Sequence, residues 1–284
     1  MSMDTITRKS LLYRTNVEYG DWAVNHVEGC AHGCSYCYAL SIAKRSGRVK
    51  TMEDWCKPKL VINAPELLKK ELIVRDESIY RNDETIQLCF TTDPFMVGYP
   101  EVQDMSIELL KEITDHHVTA RVLTKGVYPD PDEADMPRFA YHPLKTRRHE
   151  YGITVTHDPN CHVHPRGIDG DGTATTAARI ASLKRLHDAG YYTWVSIEPY
   201  PTPYIAGADI EERMAMGRGD DMARLLEQVS FVNKVVFGRM NYNAKVTEYL
   251  KGDPDYYNRC AKLVEDFCAK NEIECYIKNG TVTQ

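Results

Sequence analysis

Phenylalanine and tryptophan are scarce in this chain, six and three in 284 residues, against eighteen tyrosines. Tyrosine joins an apolar ring to a polar tip, so this aromatic set suits pocket walls and wet core edges. Long apolar runs are missing as well. No stretch approaches the roughly 20 consecutive apolar residues of a membrane-spanning helix, so a membrane partner is not expected. There is no basic excess: the net charge is −6. A protein that grips duplex DNA by its phosphates carries a basic face, and here only local clusters such as Arg45, Arg48, Lys50, Lys57 and Lys59 could supply one. Secretory signs are lacking too. The start, Met1-Ser2-Met3-Asp4, has no apolar run, and the cysteine count of nine is odd. A reducing cytoplasm without disulfides is the expected compartment.

Cysteine spacing is the strongest local pattern. Cys56, Cys89, Cys161, Cys260, Cys268 and Cys275 stand apart, with no C-x2-C pair among them, so a second cluster is not expected. The other three, Cys30, Cys34 and Cys37, share one loop at C-x3-C-x2-C spacing, between Gly29, Gly33 and the aromatic Tyr36. Thiolates suit iron–sulfur clusters, Cu(I) and zinc. A zinc site wants four protein ligands, which His32 or His26 would have to complete. Three thiolates on a four-iron cluster instead leave one iron open to a small molecule.

Around that loop the chain alternates. Strands are predicted over 21–28, 85–91, 119–124, 151–156, 191–197, 234–237 and 273–277. Helices are predicted over 38–45, 64–74, 102–116, 176–189, 220–229 and 254–270. Residues 1–20 read as an irregular N-terminal extension, and 21–284 as one domain without a linker. Alternation of this kind argues for a parallel sheet covered by helices. The expected fold is α/β, a partial (β/α)6 TIM-like barrel, with its chemistry at the C-terminal ends of the strands.

The cysteine loop resembles the signature loop of the radical S-adenosylmethionine (SAM) superfamily. That resemblance implies a [4Fe–4S] cluster on Cys30, Cys34 and Cys37, SAM as cosubstrate, and a flavodoxin- or ferredoxin-like electron donor. It makes Tyr36 a cofactor contact. Thr91, Thr92 and Asp93 would face the SAM amino group, Lys125 its carboxylate, and Thr154 and Thr156 its ribose. Arg179 could match a carboxylate bidentately, and Glu198 and Arg239 close the ring at later strand ends. Further segments resemble the spore photoproduct lyase-like branch: Thr-Thr-Asp-Pro at 91–94, Leu-Thr-Lys at 123–125, Gly-Ile-Thr-Val-Thr at 152–156, and the run from Ala178 to Tyr191. By that branch's pattern the substrate is a nucleobase or nucleic acid, and DNA repair is one outcome.

One departure matters. The branch places a hydrogen-donating cysteine where Phe90 stands, and Cys89 comes one residue early. A strand would turn Cys89 away from the side that Phe90 faces, so Cys89 donates only if a bulge intervenes. The branch's C-terminal DNA-binding hairpin is not evident either. A radical SAM enzyme acting on a peptide or small metabolite is therefore a second reading, and a non-catalytic zinc or iron–sulfur module a third. The segment 157–164 reads as a lid over the barrel mouth, a bare irregular loop, or a second metal site. Phe95, Met96, Tyr99, Tyr200 and Tyr204 are expected to wall a cavity.

Overall fold

The computed structural model describes residues 3–18, 20–138, 141–142, 145–146, 149–158, 168–206 and 210–283. Its strands are β1 Asp4–Ile6, β2 Leu12–Arg14, β3 Trp22–Val24, β4 Val27–Glu28, β5 Lys59–Val61, β6 Thr85–Leu88, β7 Thr119–Thr124, β8 Tyr141–His142, β9 Lys145–Thr146, β10 Glu150–Thr154, β11 Tyr192–Tyr200, β12 Lys234–Arg239 and β13 Glu274–Ile277. Its helices are α1 Tyr38–Arg45, α2 Met52–Trp55, α3 Ala64–Arg81, α4 Pro100–Asp115, α5 Pro131–Ala134, α6 Thr176–Asp188, α7 Pro203–Ala206, α8 Ile210–Arg218, α9 Asp220–Gln228, α10 Ala244–Gly252 and α11 Tyr256–Lys270. None of the described helices is long and apolar enough to cross a membrane.

The main sheet has eight strands in the order β13-β12-β11-β10-β7-β6-β3-β2. Every neighbouring pair from β3 to β13 is parallel, and β2 runs antiparallel to β3. Seven parallel strands form the arc, one more than a (β/α)6 barrel, because the short β13 adds itself beside β12. The arc does not pair β13 back to β2 among the described residues, so the barrel is partial.

The N-terminal 20 residues are not irregular throughout. β1 pairs with β5, which pairs with β4, and β2 edges the main sheet. The strand predicted over 21–28 is split between the two sheets at Asn25 and His26. Asn25 causes the corner: its Oδ1 accepts from the Phe90 and Thr91 amides, both at 3.1 Å, and its Nδ2 donates to the Tyr13 hydroxyl at 2.5 Å. Those bonds replace ladder bonds that a continuous strand would make. The strand predicted over 85–91 likewise stops at Leu88, since Cys89 takes a left-handed φ of +65°.

Alternation sorts the two faces of the sheet. Ile86, Leu88, Ala120, Val122, Ile153, Val195 and Val235 point outward into the helix-covered core. Leu109, Leu110 and Ile113 of α4 meet them at helical spacing. The inward positions are smaller or polar: Ala23, Gln87, Arg121, Gly152. A Cβ on Gly152 would lie 2.3 Å from the Trp194 ring, so the glycine lets the indole lie flat across the inner wall.

His149, just before β10, ties that sheet to α4. It is fully buried. Its Nδ1 accepts the Ala120 amide at 2.9 Å. The Thr114 hydroxyl donates to Leu110 O at 2.7 Å and so can only accept from His149 Nε2, also at 2.7 Å. A neutral ring satisfies both bonds, whereas a second proton would displace the Ala120 N–H. Burial pushes its pKa down to about 4. The unfolded chain, with an ordinary histidine near 6.5, binds the extra proton first, so stability falls as pH drops through 6.5 toward 4. At pH 5 the share of His149 is about 2 kcal/mol. Urea unfolding at pH 7.5 and pH 5.0 should show the wild type losing stability. His149→Gln, weaker from the start, should lose less by about that amount.

Candidate active site

The cysteine loop joins β4 to α1. Its local shape follows from two left-handed glycines, Gly29 at φ +89° and Gly33 at φ +67°. A Cβ on Gly29 would sit 2.7 Å from Trp55 O, which takes the Cys30 amide at 3.0 Å. Cys37 caps α1, its Sγ accepting from Leu40 N at 3.4 Å. Met96 supports the loop from below, its Sδ taking the Ala31 amide at 3.3 Å. Burial pushes the Cys30 and Cys34 thiols above their ordinary range.

A second loop locks the first in place. A Cβ on Gly170 would lie 1.9 Å from His32 O, and one on Gly172 would lie 2.1 Å from Ala31 O. Ser35 donates to Ile168 O through its amide at 3.3 Å and its hydroxyl at 3.0 Å. Tyr36 donates its hydroxyl to Asp169. Asp169 in turn pairs with Arg179 at 2.8 Å, both side chains fully enclosed. Burial raises the Asp169 carboxyl, but the Arg179 and Lys125 charges outweigh it and hold it below its ordinary value. Arg179 spends no donor on the cavity: Nε bonds Ala174 O at 3.0 Å and Nη1 bonds Thr154 O at 2.8 Å. The expected ligand-facing arginine is thus a brace behind the wall.

Asp93 is the matching hub on the other side. Its Oδ1 accepts from Phe95 N at 2.9 Å and Thr124 Oγ1 at 2.6 Å, and its Oδ2 from Lys125 N at 2.7 Å. His32 Nδ1 stands 3.4 Å from Oδ2. Thr92 donates to Gly29 O at 2.5 Å. The segment after β6 is therefore fastened to the cysteine loop, and the end of β7 is fastened to that segment through Asp93.

Between these fastenings lies a cavity of about 390 Å³, walled by Tyr36, Cys89, Thr92, Asp93, Lys125, Thr154, Glu198 and Arg239 among others. The Lys125 ammonium sits 5.4 Å over the Tyr36 ring. Glu198 meets Lys278, which the sequence reading passed over although it follows the last strand directly. A neighbouring cavity of about 630 Å³ reaches Cys37 and shares Tyr36, Tyr38 and Tyr242 with the first. Three expected contacts fall outside the cavity wall. Thr91 gives its amide to Asn25, Arg179 braces from behind, and Thr156 is buried against His157 Nδ1 at 3.0 Å because β10 ends two residues before it. The five expected wall residues also pack elsewhere: Phe95 edge-on to Tyr128, Met96 under the loop, Tyr200 in the core on Asp221, with Tyr99 and Tyr204 likewise off the wall. Of the 157–164 segment, His157 and Asp158 are anchored to Thr176 and Arg224, and 159–164 lie outside the described residues.

Neither histidine suits a zinc knuckle. His26 faces Cys89 and Ser106, and His32 faces Asp93. Among the described residues no three His, Cys, Asp or Glu side chains converge on a single-ion site.

No protein-family model and no curated protein matches this sequence. Solved structures do. A spore photoproduct lyase variant with bound AdoMet and dinucleoside spore photoproduct is 15% identical, with a TM-score of 0.56 over 98% of this chain and 81% of that one. The fold is that of spore photoproduct lyase. SuiB of Streptococcus suis, bound to S-adenosylmethionine, is 10% identical, with a TM-score of 0.52 over 90% of this chain and 47% of its own. The architecture that places the Cys30–Cys37 loop over the strand ends is therefore shared, while most side chains are not.

The loop-on-loop contact sets an expectation. Gly170→Ala must force a Cβ into His32 O, so the cysteine loop has to shift, at a cost of about 1–3 kcal/mol. Gly252→Ala, with nothing within 4 Å, is the control. After identical anaerobic reconstitution, iron content and melting temperature should fall in the first variant and hold in the second.

Proposed function

We propose that this protein is a radical SAM enzyme. The observation that carries the reading is one arrangement: Cys30, Cys34 and Cys37 on a loop cradled by Gly170 and Gly172, beside a cavity lined by Thr92, Asp93, Lys125 and Thr154. Those three thiolates would hold a [4Fe–4S] cluster, which would supply the electron for reductive cleavage of SAM and so for hydrogen abstraction from substrate.

The chain's own groups do the placing. Lys125 offers a point charge for a carboxylate. Tyr36 and Thr154 frame the same wall. Glu198 and Arg239 stand across the cavity, where the adenosine or the substrate meets them. The Asp169–Arg179 brace keeps Thr154 and Tyr36 in register with the cysteine loop. A flavodoxin- or ferredoxin-like protein is the natural source of single electrons, and the cytoplasm keeps such thiolates reduced.

The reading extends to Cys89. The left-handed turn at Cys89 lets Cys89 and Phe90 both line the cavity, where a regular strand would turn one of the two away. Ser106 donates to Pro94 O at 2.6 Å, so toward His26 Nε2, at 2.9 Å, it only accepts. The His26 proton is therefore on Nε2, and bare Nδ1 takes the Cys89 S–H at 3.4 Å. Burial pushes His26 down to about 4 and the Cys89 thiol well up. A protonated thiol is what hydrogen-atom donation needs: its S–H breaks as a substrate C–H forms, and an electron and a proton from the electron-donor system restore it.

A nucleobase or nucleic-acid substrate is the favoured class, by likeness to spore photoproduct lyase. The second reading is a peptide, since SuiB has also been solved bound to the precursor peptide SuiA.

Two experiments test this. Reconstituted without oxygen, the protein should bind about four irons and four sulfides per chain and release 5′-deoxyadenosine when given dithionite and SAM. Cys34→Ala should lower that yield by more than tenfold, and an intact cluster with no 5′-deoxyadenosine ends the proposal. Dinucleoside spore photoproduct in D2O should accelerate SAM cleavage and yield deuterated product. Cys89→Ala should keep SAM cleavage within about threefold and lose the deuterium. No response to the photoproduct removes the repair reading.

A further inference from the structure

Among the polar side chains of the cavity wall that nothing above employs, one is both enclosed and without a partner. Gln87, in the middle of β6, is 1% exposed. Neither its Oε1 nor its Nε2 has a hydrogen-bond partner among the described residues. Ile86 and Leu88 point outward into the core, so Gln87 points inward and lines the cavity with Leu123, Thr154 and Ser196. Its cross-strand neighbours do not serve it. Ala23 has no polar side-chain atom, and Arg121 holds Glu150 through two bonds of 2.6 and 2.9 Å.

An enclosed amide without partners weakens a fold, and methionine of similar size would fill the same space without that cost. The fold therefore does not need this polarity. Asn25 shows the contrast: its amide is satisfied three times over by Phe90, Thr91 and Tyr13. A primary amide sets one donor beside one acceptor. The complementary group presents the reverse, a C=O beside an N–H. A carboxylate would leave Oε1 facing lone pairs, and an ammonium would leave Nε2 facing protons.

We infer that Gln87 selects the substrate by pairing with an amide edge, the adjacent C=O and N–H of a pyrimidine-type lactam or of a carboxamide. The inference rests on reading the cavity as the active site, and it places that edge beside Cys89. Cys89, just past the end of β6, lines the same cavity as Gln87, so the paired edge and the thiol can meet one small ring. The charged rim, Glu198, Lys278 and Arg239, is left to hold the rest of the substrate.

The test is calorimetric titration of the oxidised, cluster-loaded protein with SAM present, using thymidine against 3-methylthymidine and nicotinamide against N,N-dimethylnicotinamide. Binding needs no reduction, so failure to cleave SAM and failure here are separate results. One unmethylated probe should bind, its methylated partner at least about tenfold more weakly; the arm that binds tells lactam from carboxamide. Gln87→Met should bind both members of that pair within twofold and should melt roughly 2–6 °C higher. The inference is overturned if neither unmethylated probe binds, if methylation costs the wild type nothing, if Gln87→Met keeps the preference, or if that variant melts lower, since a structural amide would behave so.

Discussion

Two backbone carbonyls, of Ala31 and His32, lie so close to Gly172 and Gly170 that no side chain fits between the loops. That approach decides where three thiols stand. The cysteine loop has few internal bonds of its own, and its position is imposed from outside: by Gly170 and Gly172 on one side, by Asp93 beside His32 on another, by Trp55 O on a third. The Asp169 to Arg179 to Thr154 O chain then carries that position into β10. A movement at the cysteines is felt at the strand that walls the cavity, and the reverse.

The Asp169–Arg179 pair shows why such a tie is built from charge. Burying two ions costs more than burying two apolar groups of the same size, so the pair is a poor device for stability alone. Its yield is geometric. A guanidinium reaches Asp169, Ala174 O and Thr154 O at once, in directions fixed by its plane. Leucine at 179 could fill the volume and would fix none of those three. Losing one partner would leave the other charge buried and alone, which penalises every arrangement but this one.

The sequence carried the frame and the first wall of the site. The alternation made the parallel arc legible, and the cysteine spacing with Thr92, Asp93, Lys125 and Thr154 made one end of it legible as a site. What escaped depended on contacts remote in sequence. Asp169, Gly170 and Gly172 sit in a glycine-rich loop more than 130 residues from Ser35 and Tyr36, which bond Ile168 and Asp169 at a separation of 133; glycines there read as ordinary loop until the carbonyls opposite them are known. Arg179 had the right chemistry for a ligand carboxylate and met a protein carboxylate first. Thr156 would meet the ribose beside Thr154 only if β10 continued, and the strand ends at Thr154. Cys89 failed the alternation test for the opposite reason, since its left-handed backbone suspends alternation at that one residue.

That exception belongs to a wider division of labour in the sheet. The outward positions are mostly aliphatic, with Tyr151 and Phe237 among them, and all are packed into the core. The inward positions near the strand ends differ. Cys89 holds a conformation that costs a non-glycine residue about 1–2 kcal/mol. His26 is buried with its ring tautomer dictated by Ser106. Gln87 is enclosed with its amide unanswered. Gln87 lies on β6, Cys89 just past its end and His26 against Cys89, and the segment that follows is tied to the cysteine loop through Thr92 and Asp93. A core selected only for stability would have replaced each with an aliphatic residue, as it did one position away at Ile86 and Leu88. Gln87 and Cys89 line one cavity, and a molecule that occupies it accounts for their survival there.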